Sequence, residues 1–275
     1  MGTLHIIDEM IYERAPRLVR SPAWPAIKPV LYTILGRNKA VRMADAIAGM
    51  SGRDALDHVS GLLHLDVHAR RLDRLPLSGR CVVVCNHPTG IADGMAVYDA
   101  IMRVRQDAIF FANADALRVA PRFAESLIPV EWVESKRTRD KTRATLHGAR
   151  DAFEAERCVV MFPAGRLARR DRHGRLIDPP WATTAVSMAQ KYQAPIVPCH
   201  VAGPDSFWFH LFNRFSPELR DITLFHELLN KAGKRFDLSL GPVIAPETPG
   251  LDTDSLKAYV ERDLAAAPDT PFASC

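Results

Sequence analysis

The sequence predicts an α/β protein in which a largely parallel central sheet is flanked by helices and preceded by a helical N-terminal extension. Three observations predict it. After Leu65, short apolar, β-branched runs alternate with longer stretches of helical periodicity, the rhythm of strands joined by crossover helices. Several of those runs, such as Cys81-Val82-Val83-Val84-Cys85, are apolar at every position, as strands covered on both faces of a parallel sheet are. A chain of 275 residues also buries roughly 75 per cent of the surface its unfolded form exposes, enough for one sizeable core without staples.

Taken in order, the first sixty-odd residues read as helix. Ile6, Ile7, Met10 and Ile11 make one apolar face, Pro16, Pro22, Pro25 and Pro29 cut the next stretch into short pieces, and Asp54 to Leu65 resumes the pattern. We therefore expect residues 1–65 to form a helical extension packed on a main domain of residues 66–275. Strands are expected near 67–71, 81–85, 108–112, 127–130, 158–162, 195–201 and 235–240, with helices near 92–105, 138–155, 179–192 and 253–266. Asp178 is expected to cap the third of these helices. Pro179 and Pro180 would open it, because proline is tolerated where an amide has no intrahelical acceptor. Lys191-Tyr192-Gln193 should close it before Pro195.

Composition removes several function classes. Hydrophobic residues make up 47%, yet Arg and Asp interrupt each apolar run before the ~20 residues that would span a bilayer, so no transmembrane helix is expected. The N-terminus lacks the apolar stretch and cleavage site of a secretory signal, which predicts a cytoplasmic protein. The five cysteines form no Cys-x-x-Cys pair, and Cys81, Cys85, Cys158 and Cys199 fall in strand-like segments, where they should be buried, reduced and inert. His58, His64 and His68 do not match a metal-ligand spacing, and no metal is implied. Gly-rich phosphate loops are absent, against nucleotide hydrolysis and hydride transfer, and so is the Gly-x-Ser-x-Gly of serine esterases. A net charge of only +4 and the lack of a recognition motif argue against nucleic acid as a partner.

One constellation carries chemistry. The apolar run ending at Cys85 stops abruptly at Asn86-His87-Pro88-Thr89-Gly90, and Asp93 comes next on the first turn of a helix. A histidine that takes a proton from an alcohol needs a partner to fix its tautomer and stabilise the imidazolium, and this spacing can bring the two together. Singly, each residue has a structural explanation: Asp93 complements a helix dipole, Asn86 holds a turn, and Pro88 and Gly90 punctuate a loop. Ligands of open α/β sheets bind beyond the carboxyl ends of strands. His87, Asn113 and Gly165 each lie just past such an end, so adjacency of their strands would gather them around one pocket.

The segment Asn86-His87-Pro88-Thr89-Gly90-Ile91-Ala92-Asp93 resembles the first block of the glycerolipid (lysophospholipid) acyltransferase superfamily. Val159-Val160-Met161-Phe162-Pro163-Ala164-Gly165 is similar to its strand and Phe-Pro-x-Gly turn, and Ile196-Val197-Pro198 to its later Val-Pro strand. Two departures stand out. Five residues separate the histidine from the aspartate where most members have four, and the usual Phe-Pro-Glu-Gly-Thr reads Phe162-Pro163-Ala164-Gly165-Arg166. Both fit the bacterial branch labelled "hemolysin-like", which the chain also resembles in Asp178-Pro179-Pro180-Trp181 and Glu227-Leu228-Leu229-Asn230-Lys231.

The resemblance implies transfer of a fatty acyl group from a thioester, acyl-CoA or acyl carrier protein, to the hydroxyl of a lysophospholipid-type acceptor such as 1-acylglycerol 3-phosphate. His87 would be the general base and Asp93 its orienting partner, with no bound cofactor. Asn86, Gly90, Arg137, Gly165 and Arg166 are the substrate-binding candidates. Other readings are a lyso-ornithine lipid acceptor, a hydrolase, and a lipid-binding protein without catalysis. Lys136, Arg137, Arg139, Lys141 and Arg143 form one basic run and Arg166, Arg169, Arg170, Arg172 and Arg175 another; each is either a solvated face or an anion-capturing surface. Peripheral contact with the inner face of the membrane would use the N-terminal stretch around Arg14, Arg17, Arg20 and Trp24, or the aromatic cluster Phe207, Trp208, Phe209, Phe212 and Phe215.

Overall fold

The computed structural model describes residues 4–131 and 136–273. Five helices come first: α1 (Ile6–Arg14), α2 (Pro16–Arg20), α3 (Trp24–Ile34), α4 (Arg37–Ile47) and α5 (Gly52–Leu63). Pro16 and Pro25 sit in first turns, where their missing N–H groups have no intrahelical acceptor to lose. Gly36, at φ +64°, makes the corner between α3 and α4, and the Ser51 hydroxyl accepts the Asp54 N–H to start α5.

The remainder supplies β1 (Asp66–Arg70), β2 (Cys81–Cys85), α6 (Ile91–Ile101), β3 (Ile109–Asn113), α7 (Asp115–Val119), β4 (Leu127–Val130), α8 (Arg139–Glu154), β5 (Cys158–Met161), β6 (Arg169–Arg170), β7 (Leu176–Ile177), α9 (Thr184–Tyr192) and β8 (Ile196–Ala202). It ends with α10 (Phe207–Asn213), α11 (Pro217–Asp221), α12 (Leu224–Leu229), β9 (Arg235–Leu240) and α13 (Thr253–Ala258), which continues through a π-helical stretch to Ala266. The seven long strands form one sheet in the order β1-β9-β8-β2-β5-β3-β4, parallel throughout except between β8 and β9. Side chains alternate across it. Cys81, Val83 and Cys85 of β2 pack with the N-terminal helices and α6, while Val82 and Val84 pack with α8, α9 and the C-terminal helix, which is why every position of that strand is apolar. Cys81, Cys85, Cys158 and Cys199 are free and buried; Cys275 lies outside the described residues.

One expectation needs correction, and two segments have structure that was not expected. The helix expected at 179–192 begins at Thr184, and Asp178 does not cap it, because its carboxylate is committed to a distant main-chain amide. The basic run after Arg166 is a small hairpin of β6 and β7, turned by the Asp171 carboxylate accepting the N–H groups of His173 and Arg175. Residues 207–229 form three short helices where only an aromatic cluster was legible. Among the described residues, no helix is long and apolar enough to cross a membrane.

A buried ion pair fixes those short helices. Lys231 and Glu227, with side chains 3% and 4% exposed, lie 2.9 Å apart. Lys231 also donates to the Asp205 carbonyl (2.9 Å), and Glu227 accepts the Phe209 N–H (3.2 Å), so the pair ties the start of α10 to α12. Removing one partner leaves the other charge buried without compensation. Lys231→Met should therefore cost about 3–5 kcal/mol in chemical denaturation, and Glu227→Leu combined with Lys231→Met should be less destabilised than the single variant.

Candidate active site

β2 delivers its last residue to a turn that is pinned from several sides. The Asn86 amide donates to the Val201 carbonyl (3.0 Å) and accepts the Val201 N–H (2.7 Å), locking the end of β2 to β8. The His87 N–H donates to both oxygens of Asp178 (3.1 and 3.0 Å), and the His87 carbonyl accepts the Ala168 N–H (2.9 Å). Gly90 then turns the chain at φ +97°, with the site of a Cβ only 3.0 Å from the Leu167 side chain, so both conformation and space call for glycine.

That turn brings Asp93, third residue of α6 and fully buried, back over its own approach. Its Oδ2 accepts the N–H groups of Thr89 (2.8 Å) and Gly90 (2.9 Å) and faces His87 Nδ1 at 3.0 Å; its Oδ1 accepts the Thr89 hydroxyl (2.5 Å). A buried carboxylate is tolerated only with such donors, and the start of α6 adds a favourable dipole. With its Nδ1–H given to Asp93, the imidazole keeps its lone pair on Nε2. The ring, 16% exposed, leans on Phe162 at 4.7 Å between centroids.

His87 opens on a cavity of about 290 Å³. Asn113, the last residue of β3, lines it too, as do Gly165 and Arg166 beyond the carboxyl end of β5, and β2, β5 and β3 are neighbours in the sheet. Most of the remaining wall is apolar: Phe110 and Ala112 from β3, Met95 from α6, and Met10, Met43, Ile47, Leu56 and Val59 from the N-terminal helices. Arg14 joins that wall, donating to Asp115 at 2.7 Å.

The other candidates lie elsewhere. Asn86 and Gly90 shape the turn without lining the cavity. Arg137 lines a second cavity, with Lys141 and Leu146, that shares only Phe111 and Phe162 with the first. The sequence reading missed Asp178 and the contribution of the N-terminal helices. Asp178 is 4% exposed, accepts the Trp181 indole N–H (2.9 Å), and donates its own N–H to Glu261 (2.7 Å). Burial, with Glu261 nearby, pushes its carboxyl up to about 6 against the opposing pull of the Trp181 bond and of His87. Before Pro-Pro, an aspartate reads as a helix cap; only the long-range bond distinguishes it.

Comparison with known proteins shows that a family model described as acyltransferase matches residues 66–202. A lyso-glycine lipid O-acyltransferase of Phocaeicola vulgatus is 28% identical over 205 residues, covering 72% of this chain and 71% of its own length. A protein of the same name from Bacteroides thetaiotaomicron is 25% identical over 205 residues, covering 72% of each. A crystal structure of the 1-acyl-sn-glycerophosphate acyltransferase of Thermotoga maritima superposes with a TM-score of 0.47 at 16% identity, over 95% of this chain and 86% of that one.

Asp178 generates a stability prediction. Its folded value, about 6, lies above the ordinary 3.8, so the stability its proton supplies is fully present below about pH 4 and is lost as pH rises through 6. Asp178→Asn abolishes that titration. The unfolding free energy of the variant relative to wild type should move in the variant's favour by roughly 2.5 kcal/mol between pH 4 and 8, the greater part of the full shift at 1.36 kcal/mol per unit. Urea titrations across that range check it.

Proposed function

This chain belongs to the lysophospholipid/glycerolipid acyltransferase superfamily and is an acyltransferase, and we propose that it esterifies the hydroxyl of an amino-acid-headed lyso-lipid, of the lyso-glycine type, with a fatty acyl group from a thioester. The observation that carries the chemistry is the His87–Asp93 pair, 3.0 Å apart and opening on a largely apolar cavity. His87 Nε2 accepts the proton of the acceptor hydroxyl as its oxygen attacks the thioester carbonyl carbon. Asp93 holds the tautomer and stabilises the imidazolium. Collapse of the tetrahedral species breaks the carbon–sulfur bond, and the leaving thiolate takes the proton back from His87, giving ester and free thiol.

The acceptor assignment follows the lyso-glycine lipid O-acyltransferases, which align over most of their length. Arg166 lines the cavity beside Gly165 and suits a carboxylate, which a guanidinium can hold in two parallel hydrogen bonds. The apolar wall suits a hydrocarbon chain. The donor is acyl-CoA or acyl carrier protein. The hairpin after Arg166 supports that choice: Arg170 and Arg175 are paired with Asp205 and Asp171, while the exposed Arg169 and Arg172 offer positive charge to phosphates or an acidic carrier surface.

Both substrates are amphiphiles, so we also place the protein peripherally on the inner face of the membrane. Trp24 is not the anchor: it is buried, packed edge-on against Tyr12 and Tyr32. The outer face of α3 is better suited, since Ile27, Val30 and Ile34 are 39%, 62% and 40% exposed on one stripe, with Phe207 and Phe215 exposed on and just after α10.

His87→Ala should lose roughly a hundredfold to ten-thousandfold in turnover while keeping its fold, measured as thiol release from palmitoyl coenzyme A. Comparable turnover in a folded variant refutes the assignment. Run with lyso-glycine lipid, lyso-ornithine lipid and 1-acylglycerol 3-phosphate in parallel, the same assay should show preference for the first, and Arg166→Lys should raise KM for it. Val30→Asp should reduce co-sedimentation with anionic liposomes and leave thermal unfolding nearly unchanged. Equal sedimentation removes α3 as the contact.

A further inference from the structure

We propose that Asp178 is a positioning residue for acyl transfer: its carboxylate holds the main chain of His87 and lends negative charge beside the imidazolium that forms there. The inference rests on His87 being the base. Three observations carry it. Both oxygens of Asp178 converge on one amide, that of His87, at 3.1 and 3.0 Å, across 91 residues of sequence, so the bond is not a by-product of a local turn. The same excursion of chain grips the other side of the peptide through Ala168 N–H to His87 carbonyl at 2.9 Å, fixing the residue whose ring must meet a substrate. Finally, the carboxylate is almost wholly buried on a few donors beside a second acid, a setting that favours a neutral group; retaining an aspartate there has a reason in the charge itself.

The groups around it define what the charge can do. His87 faces it from the turn after β2, Trp181 from the segment leading to α9, and Glu261 from the C-terminal helix, where Glu261 is itself paired with Lys257. Asp93 anchors the ring at Nδ1, and Asp178 anchors the backbone of the same residue. Two carboxylates therefore hold one histidine, Asp93 at its ring and Asp178 at its main-chain amide. Protonation of Asp178 removes one of those charges and one of the acceptors holding the peptide, so turnover should fall with it on the acidic side, where burial has pushed its carboxyl up to about 6.

The test compares wild type, His87→Ala, Asp178→Asn and Trp181→Phe by thiol release and ester formation from pH 5 to 9, with thermal unfolding of each. Asp178→Asn is expected to keep KM for both substrates within about twofold and to lower kcat about tenfold, the size of one unit of differential charge stabilisation. Its kcat profile should keep the acidic limb that the general base itself imposes and lose the second proton that Asp178 adds to it, so that the limb becomes shallower. Trp181→Phe keeps the carboxylate but removes a donor to its charged form, so its acidic limb should move to higher pH. If His87→Ala is inactive while Asp178→Asn shows wild-type kcat and an unchanged limb, the positioning role is overturned and the base survives. If Asp178→Asn does not fold, an unmoved limb in Trp181→Phe overturns it instead. Turnover by folded His87→Ala removes the base itself, and this inference with it.

Discussion

A fully buried carboxylate must be surrounded by donors, and the turn from Asn86 to Asp93 is built around that requirement. Asp93 takes two main-chain N–H groups, a hydroxyl and an imidazole nitrogen, all from the eight residues it terminates. Meeting that demand forces Gly90 into the left-handed half of backbone space and brings Leu167 against it. The effect spreads outward through Thr89, whose carbonyl accepts the Ser206 hydroxyl at the entrance to α10. Gly203 has no room for a Cβ, which would lie 2.9 Å from Thr89. The entrance to α10 and the turn that carries His87 are thus joined through Thr89.

Much of the fold was legible because its strongest signals are local. A strand sandwiched between two helical layers has no polar position, and β2 and β5 announce this in Cys81–Cys85 and Cys158–Met161. The start of α9 was misread for the opposite reason. An acid before two prolines has the local chemistry of a cap, but the Asp178 carboxylate answers to His87, and the helix does not begin until Thr184. The two-residue strands of the arginine hairpin and the helices between Phe207 and Leu229 are too short for periodicity to appear.

The site divides along the same line. His87 and Asp93 stand six residues apart, within reach of a spacing argument. Arg14 and Asp115, 101 residues apart, are not, and a basic residue that looked ready for lipid headgroups is instead part of an internal wall. Arg137, a substrate-binding candidate that comes after the strand next to β3, lines a different cavity, and Phe111 and Phe162 are the residues that cavity shares with the one His87 lines. Asn86 adjoins the key residue yet uses its amide to staple two strands.

The lining of the larger cavity comes from two stretches with different obligations. The ring, its carboxylate and the glycine after Phe-Pro-Ala fall within residues 66–202, whereas Met10, Met43, Ile47, Leu56 and Val59 precede that region. Exchanging a methionine for a smaller or larger side chain in α4 would resize the chamber without touching a hydrogen bond to Asp93. Under the proposed function, the part of the chamber that would hold a hydrocarbon tail can therefore be reshaped independently of the turn that carries the imidazole, much as interchangeable moulds serve a single press.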